Sequence, residues 1–195
     1  MLLYLTIVIL AMTIIVICNI ACNITNFFSC PWIVIACVIG AVIIEIIIDL
    51  ILAGIVCACK NSWFKDDAKV FNASKKECRI YEKIGIKRWK DKILEIGAIG
   101  GFSKAKLSDN IDIDYINKFL LESYKGIIVH ITNIILGFLI MAIPPYKWSL
   151  CVGLPVAIVN AILGLFPILV LRYNIPKLKI VRKRLEKLSH INAEL

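Results

Sequence analysis

The sequence predicts an all-α integral membrane protein with four transmembrane helices. Of its 195 residues 60% are hydrophobic, and no charged side chain precedes Glu45. Soluble domains are usually nearer half apolar, and they interrupt their apolar runs with charge. These two features exclude an ordinary soluble domain, a disordered chain and a disulfide-rich secreted module.

Four apolar stretches are long enough to cross a bilayer, which takes about 20 residues in an α-helix. The first covers about residues 2–24 and the second about residues 32–59. The third covers residues 126–143 and ends at Pro144-Pro145, which cannot continue a helix. The fourth covers about residues 148–171. We therefore expect two transmembrane hairpins.

The positions of the basic residues predict the orientation. Of 23 Lys and Arg residues, 15 lie between Lys60 and Lys125, and seven lie between Arg172 and Lys187. Basic loops tend to stay on the cytoplasmic side. We therefore expect a multi-pass protein of the cell membrane with both termini in the cytoplasm. Anionic headgroups of membrane lipids explain the basic stretches more simply than nucleic acid does, so no nucleic-acid partner is expected.

This topology divides the chain into four parts. They are a first transmembrane hairpin (residues 1–59), a cytoplasmic loop (60–125), a second transmembrane hairpin (126–172) and a basic cytoplasmic tail (173–195). In the loop, apolar residues recur at helical spacing over residues 78–96, which predicts an amphipathic helix at the membrane interface. Capping residues over 108–114 predict a second helix that runs on into the third span. The tail after Pro176 predicts a basic helix bound to the membrane surface.

Polar side chains inside the predicted spans are candidate functional residues. Glu45 and Asp49 are four residues apart, so they share one face of the second span. Because a carboxylate near the bilayer centre costs about 2.5–3.5 kcal/mol, that face must point into the bundle. It is either a polar floor for a substrate hydroxyl, a cation or proton site, or a packing contact between helices. Folding the last two spans back on each other near Tyr146 predicts a contact between Asn133 and Asn160.

The same folding places Glu122 near Arg172 at the cytoplasmic end of the second hairpin. His130 follows Glu122 by eight residues, which in a straight helix means about 12 Å of rise and about 80° of rotation. The two side chains are then members of one pocket and not a hydrogen-bonded dyad. A lone His near a helix end is often structural, although ionisable groups inside spans tend to be functional. Neither the carboxylates nor the eight cysteines have the pattern of a metal site, and none is expected.

Four segments occur in the order and register of a known family. They are residues 86–93 (IKRWKDKI), residues 101–107 (GFSKAKL), the Glu122 to His130 spacing, and residues 167–178 (PILVLRYNIPKL). Over roughly residues 80–180 the chain resembles the glycosyl-4,4'-diaponeurosporenoate acyltransferase family. These are small membrane proteins that acylate a glycosylated carotenoid in staphyloxanthin synthesis.

The resemblance implies roles at the matching positions only. It implies catalytic roles for His130 and Glu122, and it implies substrate-binding roles for Arg172, Tyr173, Asn174, Arg88 and Trp89. The chain departs from the family at several positions. Ile127 stands where relatives have a second acid, and Ile131 stands where they have a Trp. Ile175 and Lys177 stand where they have Arg.

Together these features predict a membrane acyltransferase at the cytoplasmic leaflet. It would move a fatty acyl group from a thioester donor, such as acyl-CoA, to a hydroxyl of a glycolipid or another lipid-linked acceptor, with no bound cofactor. His130 is the candidate base, and Arg172, Lys87, Arg88 and Lys90 are candidates to attract a phosphate-bearing donor. Two alternatives are a non-enzymatic adaptor or lipid-binding protein, and a small proton- or cation-coupled transporter. The oligomeric state is not predicted.

Overall fold

The computed structural model describes residues 2–21, 30–90 and 112–193, and in these ranges the protein is helical with no β-strand. Within these ranges seven α-helices follow one another. They are α1 (Leu2–Ala21), α2 (Pro31–Ala58), α3 (Lys75–Lys83), α4 (Ile86–Trp89), α5 (Ile113–Leu136), α6 (Tyr146–Trp148) and α7 (Leu154–Ala193). A 3₁₀ segment, Gly137–Ala142, extends α5, and a π-helical segment, Ser149–Gly153, precedes α7.

In the part of the chain that the structure describes, three helical segments are long and apolar enough to cross a membrane. They are Pro31–Ala58, Ile113–Ala142 and Tyr146–Ser189. The apolar part of α1, Leu5–Ala21, is shorter than these. The prediction of an all-helical membrane protein is thus confirmed, and three of the four predicted spans have the required length.

The chain forms two compact units, and both α5 and α7 contribute to each of them. The first unit contains Met1–Cys57 and Val129–Phe166. The second contains Ala58–Ile128 and Pro167–Leu195. Each of the helices α5 and α7 therefore has one part in each unit. The polar residues of the second hairpin accordingly fall into two groups, one in the first unit and one in the second.

The core of the first unit is built from apolar side chains of four helical segments. Its buried members are Ile15, Val38, Ala41, Ile140, Trp148, Val152, Val156 and Ala157. Helices in lipid associate mainly through close packing, which small residues allow. Gly153 is such a residue, because a Cβ there would lie 3.4 Å from the Trp148 ring. The amide of Asn19 attaches α1 by donating to the Cys151 carbonyl at 2.9 Å.

In the second unit, α3 begins with a capping box. The Ser74 hydroxyl accepts from the Glu77 backbone N–H, and the Glu77 carboxylate accepts from the Ser74 N–H at 2.6 Å. Gly85 then takes a left-handed conformation (φ 74°) between α3 and α4, which glycine adopts without a steric penalty. The prediction of one helix over residues 78–96 is therefore wrong at Gly85. Its last residues, 91–96, and the motif at 101–107 lie outside the described residues.

The helix predicted to run from the loop into the third span is confirmed as α5. The Asp112 carboxylate accepts from the Tyr115 N–H at 2.7 Å and so caps its first turn. The helix and its 3₁₀ extension end at Ala142. This is just before Pro144-Pro145, as the sequence predicts.

The end of the last helix differs from the prediction. We expected the fourth span to end near Leu171 and a separate surface helix to follow Pro176, but α7 continues from Leu154 to Ala193 through both Pro167 and Pro176. Proline removes a backbone hydrogen bond inside a helix, so another interaction must hold it together. Ile175 and Leu178, on either side of Pro176, are buried and provide that packing.

Candidate functional site

The two predicted catalytic residues lie on the same helix. Glu122 and His130 are both half-buried residues of α5, which is an unbroken α-helix past Gly126. The rise of about 12 Å between them therefore applies. They are too far apart for a direct hydrogen bond, and any joint action needs an intermediary.

Arg172, one of the predicted substrate-binding residues, makes several hydrogen bonds. Its Nη2 donates to Glu77 Oε1 at 2.6 Å, and its Nη1 donates to the Val70 carbonyl. The side chain is only 16% exposed. Glu77 also caps α3, so a single carboxylate joins the start of α3 to α7. Arg172 thereby helps to build the second unit, a role that the sequence did not indicate.

Tyr173 has a comparable position one residue further on. Its hydroxyl donates to Glu82 Oε1 at 3.0 Å, and the same oxygen pairs with Lys87 Nζ at 2.9 Å. These contacts, from Lys87 first and Tyr173 second, lower the pKa of the Glu82 carboxyl. Lys177 lies over the Tyr173 ring, 3.4 Å from its centre. Tyr173, a predicted substrate-binding residue, is thus surrounded by one carboxylate and two lysine side chains.

The other three predicted binding residues have different degrees of exposure. Trp89 is half-buried, packs against a cluster that contains Tyr81 and Tyr173, and donates its indole N–H to the Ile84 carbonyl at 3.2 Å. Asn174 is half-buried on α7. Arg88 is exposed at the end of α4. The Arg88 guanidinium is therefore accessible to an anionic ligand.

The second unit also contains a network of polar side chains that the sequence did not indicate. Its centre is Asp66, which pairs with Lys179 at 3.2 Å and Arg182 at 2.8 Å and accepts a hydrogen bond from the Tyr124 hydroxyl. Asn72 accepts from the same lysine at 2.6 Å. The spacing of the basic residues 172, 179 and 182 places them on one face of a continuous helix, and it could have indicated this network. It did not do so because the helix was expected to end at Pro176.

The surroundings of Asp66 change its acidity. Burial alone would raise its pKa, but hydrogen bonds from Tyr124, Arg182 and Lys179 and the charge of Lys179 outweigh it and lower the pKa from 3.8 to about 2. At neutral pH the group is therefore a carboxylate that serves as a structural anchor. The pKa of the Glu77 carboxyl is also lowered, first by the hydrogen bond from the backbone N–H of Ser74 and then by Arg172.

The first unit contains a separate group of polar side chains between its helices. Glu45 on α2 is buried, and its Oε2 accepts from the Asn160 amide of α7 at 2.9 Å. Gly137 of the α5 extension faces this pair, because a Cβ there would lie 2.8 Å from both Asn160 Nδ2 and Glu45 Oε2. The face of α2 that was predicted to point inward is thus in contact with two other helical segments, α7 and the 3₁₀ extension of α5.

The predicted contact between Asn133 and Asn160 is wrong by one helical turn. Asn160 is level with Gly137, and its amide donates to Glu45. The 3₁₀ segment rises about 2.0 Å per residue, compared with about 1.5 Å in an α-helix, and the π-helical segment places an extra residue in the other arm. Both distortions shift the register of the hairpin in the same direction.

This close approach predicts the effect of a single methyl group. Gly137→Ala forces apart the Glu45–Asn160 hydrogen bond, and we expect it to lower the free energy of unfolding by about 1–2 kcal/mol. Gly40→Ala on α2 is the matched control, since a Cβ at Gly40 would have no atom within 4 Å. Thermal unfolding in detergent measures both. Equal changes in the two variants would contradict the proposed crowding.

In the residues that the structure describes, the fold is all-helical with helices long enough to cross a membrane, and charged side chains form a bonded network in the second unit. A family model described as glycosyl-4,4'-diaponeurosporenoate acyltransferase matches residues 60–184, more than half of the chain. The chain belongs to this family, and it is a membrane acyltransferase. Neither the curated proteins nor the solved structures compared with it include a significant match.

The matched region contains nearly all of the predicted site. Glu122, His130 and Arg172 lie inside residues 60–184, as do Asp66 and its partners. Glu45 and Asp49 precede the matched region. The intramembrane carboxylates are therefore a feature of this chain that the family match does not account for.

Proposed function

We propose that the protein transfers a fatty acyl group from a thioester donor to a hydroxyl of a glycolipid or another lipid-linked acceptor at the cytoplasmic leaflet. The family match over residues 60–184 carries this proposal. The thioester, such as acyl-CoA, is a co-substrate. The long apolar helices support an acceptor that is itself held in the membrane.

The topology that suits this reaction has four spans, with α1 as the first, and both termini in the cytoplasm. The distribution of charge supports it, since 15 basic residues lie between Lys60 and Lys125 and seven between Arg172 and Lys187. Such stretches prefer the cytoplasmic side and attract anionic headgroups. The acyl donor is then made and used in the same compartment.

His130 acts as the general base in this proposal. It takes the proton of the acceptor hydroxyl while the hydroxyl oxygen forms a bond to the thioester carbonyl carbon. The carbon–sulfur bond then breaks, the thiolate leaves, and the proton held by His130 passes to the sulfur. Imidazole suits both steps because its usual pKa lies near neutral pH. Glu122 acts through an intermediary, because the helix keeps it about 12 Å of rise away.

The donor's phosphates are assigned to the exposed end of α4. Arg88 is exposed, and a guanidinium binds phosphate through two parallel hydrogen bonds. Lys87 and Lys90 add positive charge, and Trp89 offers a ring next to them. Arg172 and Tyr173 act as positioning residues through Glu77 and Glu82. Asn174 remains a candidate for hydrogen bonding the acceptor.

Reconstitution tests the reaction class directly. The purified protein is placed in vesicles made from a bacterial lipid extract, supplied with isotopically labelled palmitoyl-CoA, and the lipids are analysed by mass spectrometry. We expect a labelled lipid whose mass equals acceptor plus acyl group, and its formation should require both protein and donor. Labelled lipid that forms equally well without the protein, or none at all, would contradict the proposal.

A further inference from the structure

Inside the first unit, a second pair of polar side chains lies one helical turn away from the Glu45–Asn160 hydrogen bond. Helices α2 and α5 are antiparallel there, because Glu45 is level with Gly137 while Ala41, one turn earlier, packs in the same cluster as Ile140. Asp49 follows Glu45 by four residues on α2, and Asn133 precedes Gly137 by four residues on α5. Asp49 and Asn133 therefore occupy the same level on facing helices.

Three buried oxygen atoms at these two levels have no hydrogen-bond partner. They are Glu45 Oε1, Asp49 Oδ1 and Asn133 Oδ1. Glu45 and Asn133 are each only 5% exposed. A buried polar atom without a partner is costly, and in native proteins it calls for a ligand, a water or an ion. All three atoms can accept hydrogen bonds, so a group that donates several hydrogen bonds would satisfy them.

We infer that this group of oxygens binds the hydroxyl groups of the lipid acceptor, an inference that rests on the proposed function. A hydroxyl-rich headgroup supplies several donors spaced closely enough to meet side chains one helical turn apart. His130 lies three residues before Asn133 on α5, so it is adjacent to the site along the helix surface. A hydroxyl held by Asn133 and Asp49 is thus bound next to the proposed base.

The chemistry of the site favours hydroxyls over a multivalent metal ion. Among the described residues, no group of three or more His, Cys, Asp and Glu side chains is placed to hold a metal. One of the three acceptors is a neutral amide oxygen, which accepts a hydrogen bond from a hydroxyl without needing a cation to balance its charge. Glu45 and Asp49 precede the region shared with the family. In this proposal they help to determine which acceptor lipid is bound, in a way that is particular to this chain.

The test measures binding alone and needs no acyl donor. Dodecyl β-glucoside is compared with its per-O-methyl analogue, which keeps the sugar ring and the acceptor oxygens but has no donor. With the protein in lipid nanodiscs, we expect the glucoside to bind about tenfold more tightly. In Asp49→Leu and Asn133→Leu this preference should fall about fivefold to tenfold, the range for one lost hydrogen bond.

Asn19→Leu is the matched control. Asn19 is also a buried amide of the first unit with an unpartnered Oδ1, but it lies on α1 and donates to Cys151. This variant should keep the full preference for the glucoside. Equal binding of the two glucosides by the wild type overturns the inference, and so does a preference that both site variants retain. Stabilisation by sodium ions or by acid, lost in Asp49→Leu, with no glucoside preference, would instead mark a cation or proton site and also overturn it.

The two proposals fail in different ways. Acyl transfer in vesicles without glucoside preference rejects the hydroxyl site and leaves the enzyme class intact. Glucoside preference that depends on Asp49 and Asn133, without any acylated lipid, supports the hydroxyl site and rejects the proposed reaction.

Discussion

His130→Ala is expected to lower the rate of acyl transfer by at least a hundredfold while the protein stays folded. General base catalysis by a positioned side chain contributes about 10²–10⁴ to a rate, and the hydroxyl nucleophile is weak until its proton is removed. The initial rate of labelled lipid formation in vesicles measures the loss. Thermal unfolding of the same preparation separates a catalytic defect from a folding defect.

The chain provides a matched control for this variant. His190 is its only other histidine and belongs to the last turns of α7. His190→Ala should keep nearly the full rate. Glu122→Gln should have an intermediate effect, because Glu122 acts at a distance along α5. A folded His130→Ala protein with the wild-type rate would remove His130 from the mechanism and would leave the acyltransferase class to another base.

The parts of the fold that the sequence predicted are those determined by local pattern. An apolar run long enough for the bilayer identifies a helix such as α2, whatever it packs against. Capping by Asp112 and the following apolar period predict that α5 begins in the loop. Both properties depend on neighbours within a few residues, so a single sequence contains them.

The parts that it missed depend on pairs far apart in the chain. Asp66 is 58 residues from Tyr124 and 116 from Arg182, and no local pattern specifies such a partnership. The basic residues of the tail looked like a lipid-binding surface because their charge alone was visible. The structure instead uses Arg182 and Lys179 against Asp66, and Arg172 against Glu77.

Proline and helix distortions explain the other differences. A rule that ends helices at proline fails at Pro176 because buried neighbours compensate for the missing hydrogen bond. The register of the hairpin, and with it the partner of Asn160, depends on 3₁₀ and π-helical turns. Such turns have no clear sequence signal. The candidate residues were therefore easier to predict than their partners.

Asp66→Ala is expected to destabilise the protein more than any other change of one surface acid. It leaves the hydroxyl of Tyr124, which is 3% exposed, without its acceptor and removes the partner of both Lys179 and Arg182. Charged hydrogen bonds contribute about 1.5–3 kcal/mol each. Because the Asp66 side chain is 45% exposed, solvent reduces these values. We expect a total loss of about 2 kcal/mol, or about 4–8 °C in Tm.

Asp67→Ala is the neighbouring control, because Asp67 is exposed and removal of its charge breaks none of these contacts. Its Tm should stay within about 1–2 °C of the wild type, as for most surface substitutions. Thermal unfolding of the full chain in one detergent at pH 7 compares the two variants. Equal losses of stability would mean that the Asp66 contacts contribute little, and that α7 is held to residues 64–82 by apolar packing alone.

The pH dependence of this stability difference gives a sharper test. The pKa of Asp66 is lowered from 3.8 to about 2 in the folded protein. A lowered carboxyl pKa contributes stability above the unfolded value, and the contribution is lost as the pH falls through the folded value. The Tm difference between wild type and Asp66→Ala should therefore be constant above about pH 5 and shrink as the pH falls from about 4 to about 2. A difference that does not change over this range would mean that the lost contacts do not involve the carboxylate charge.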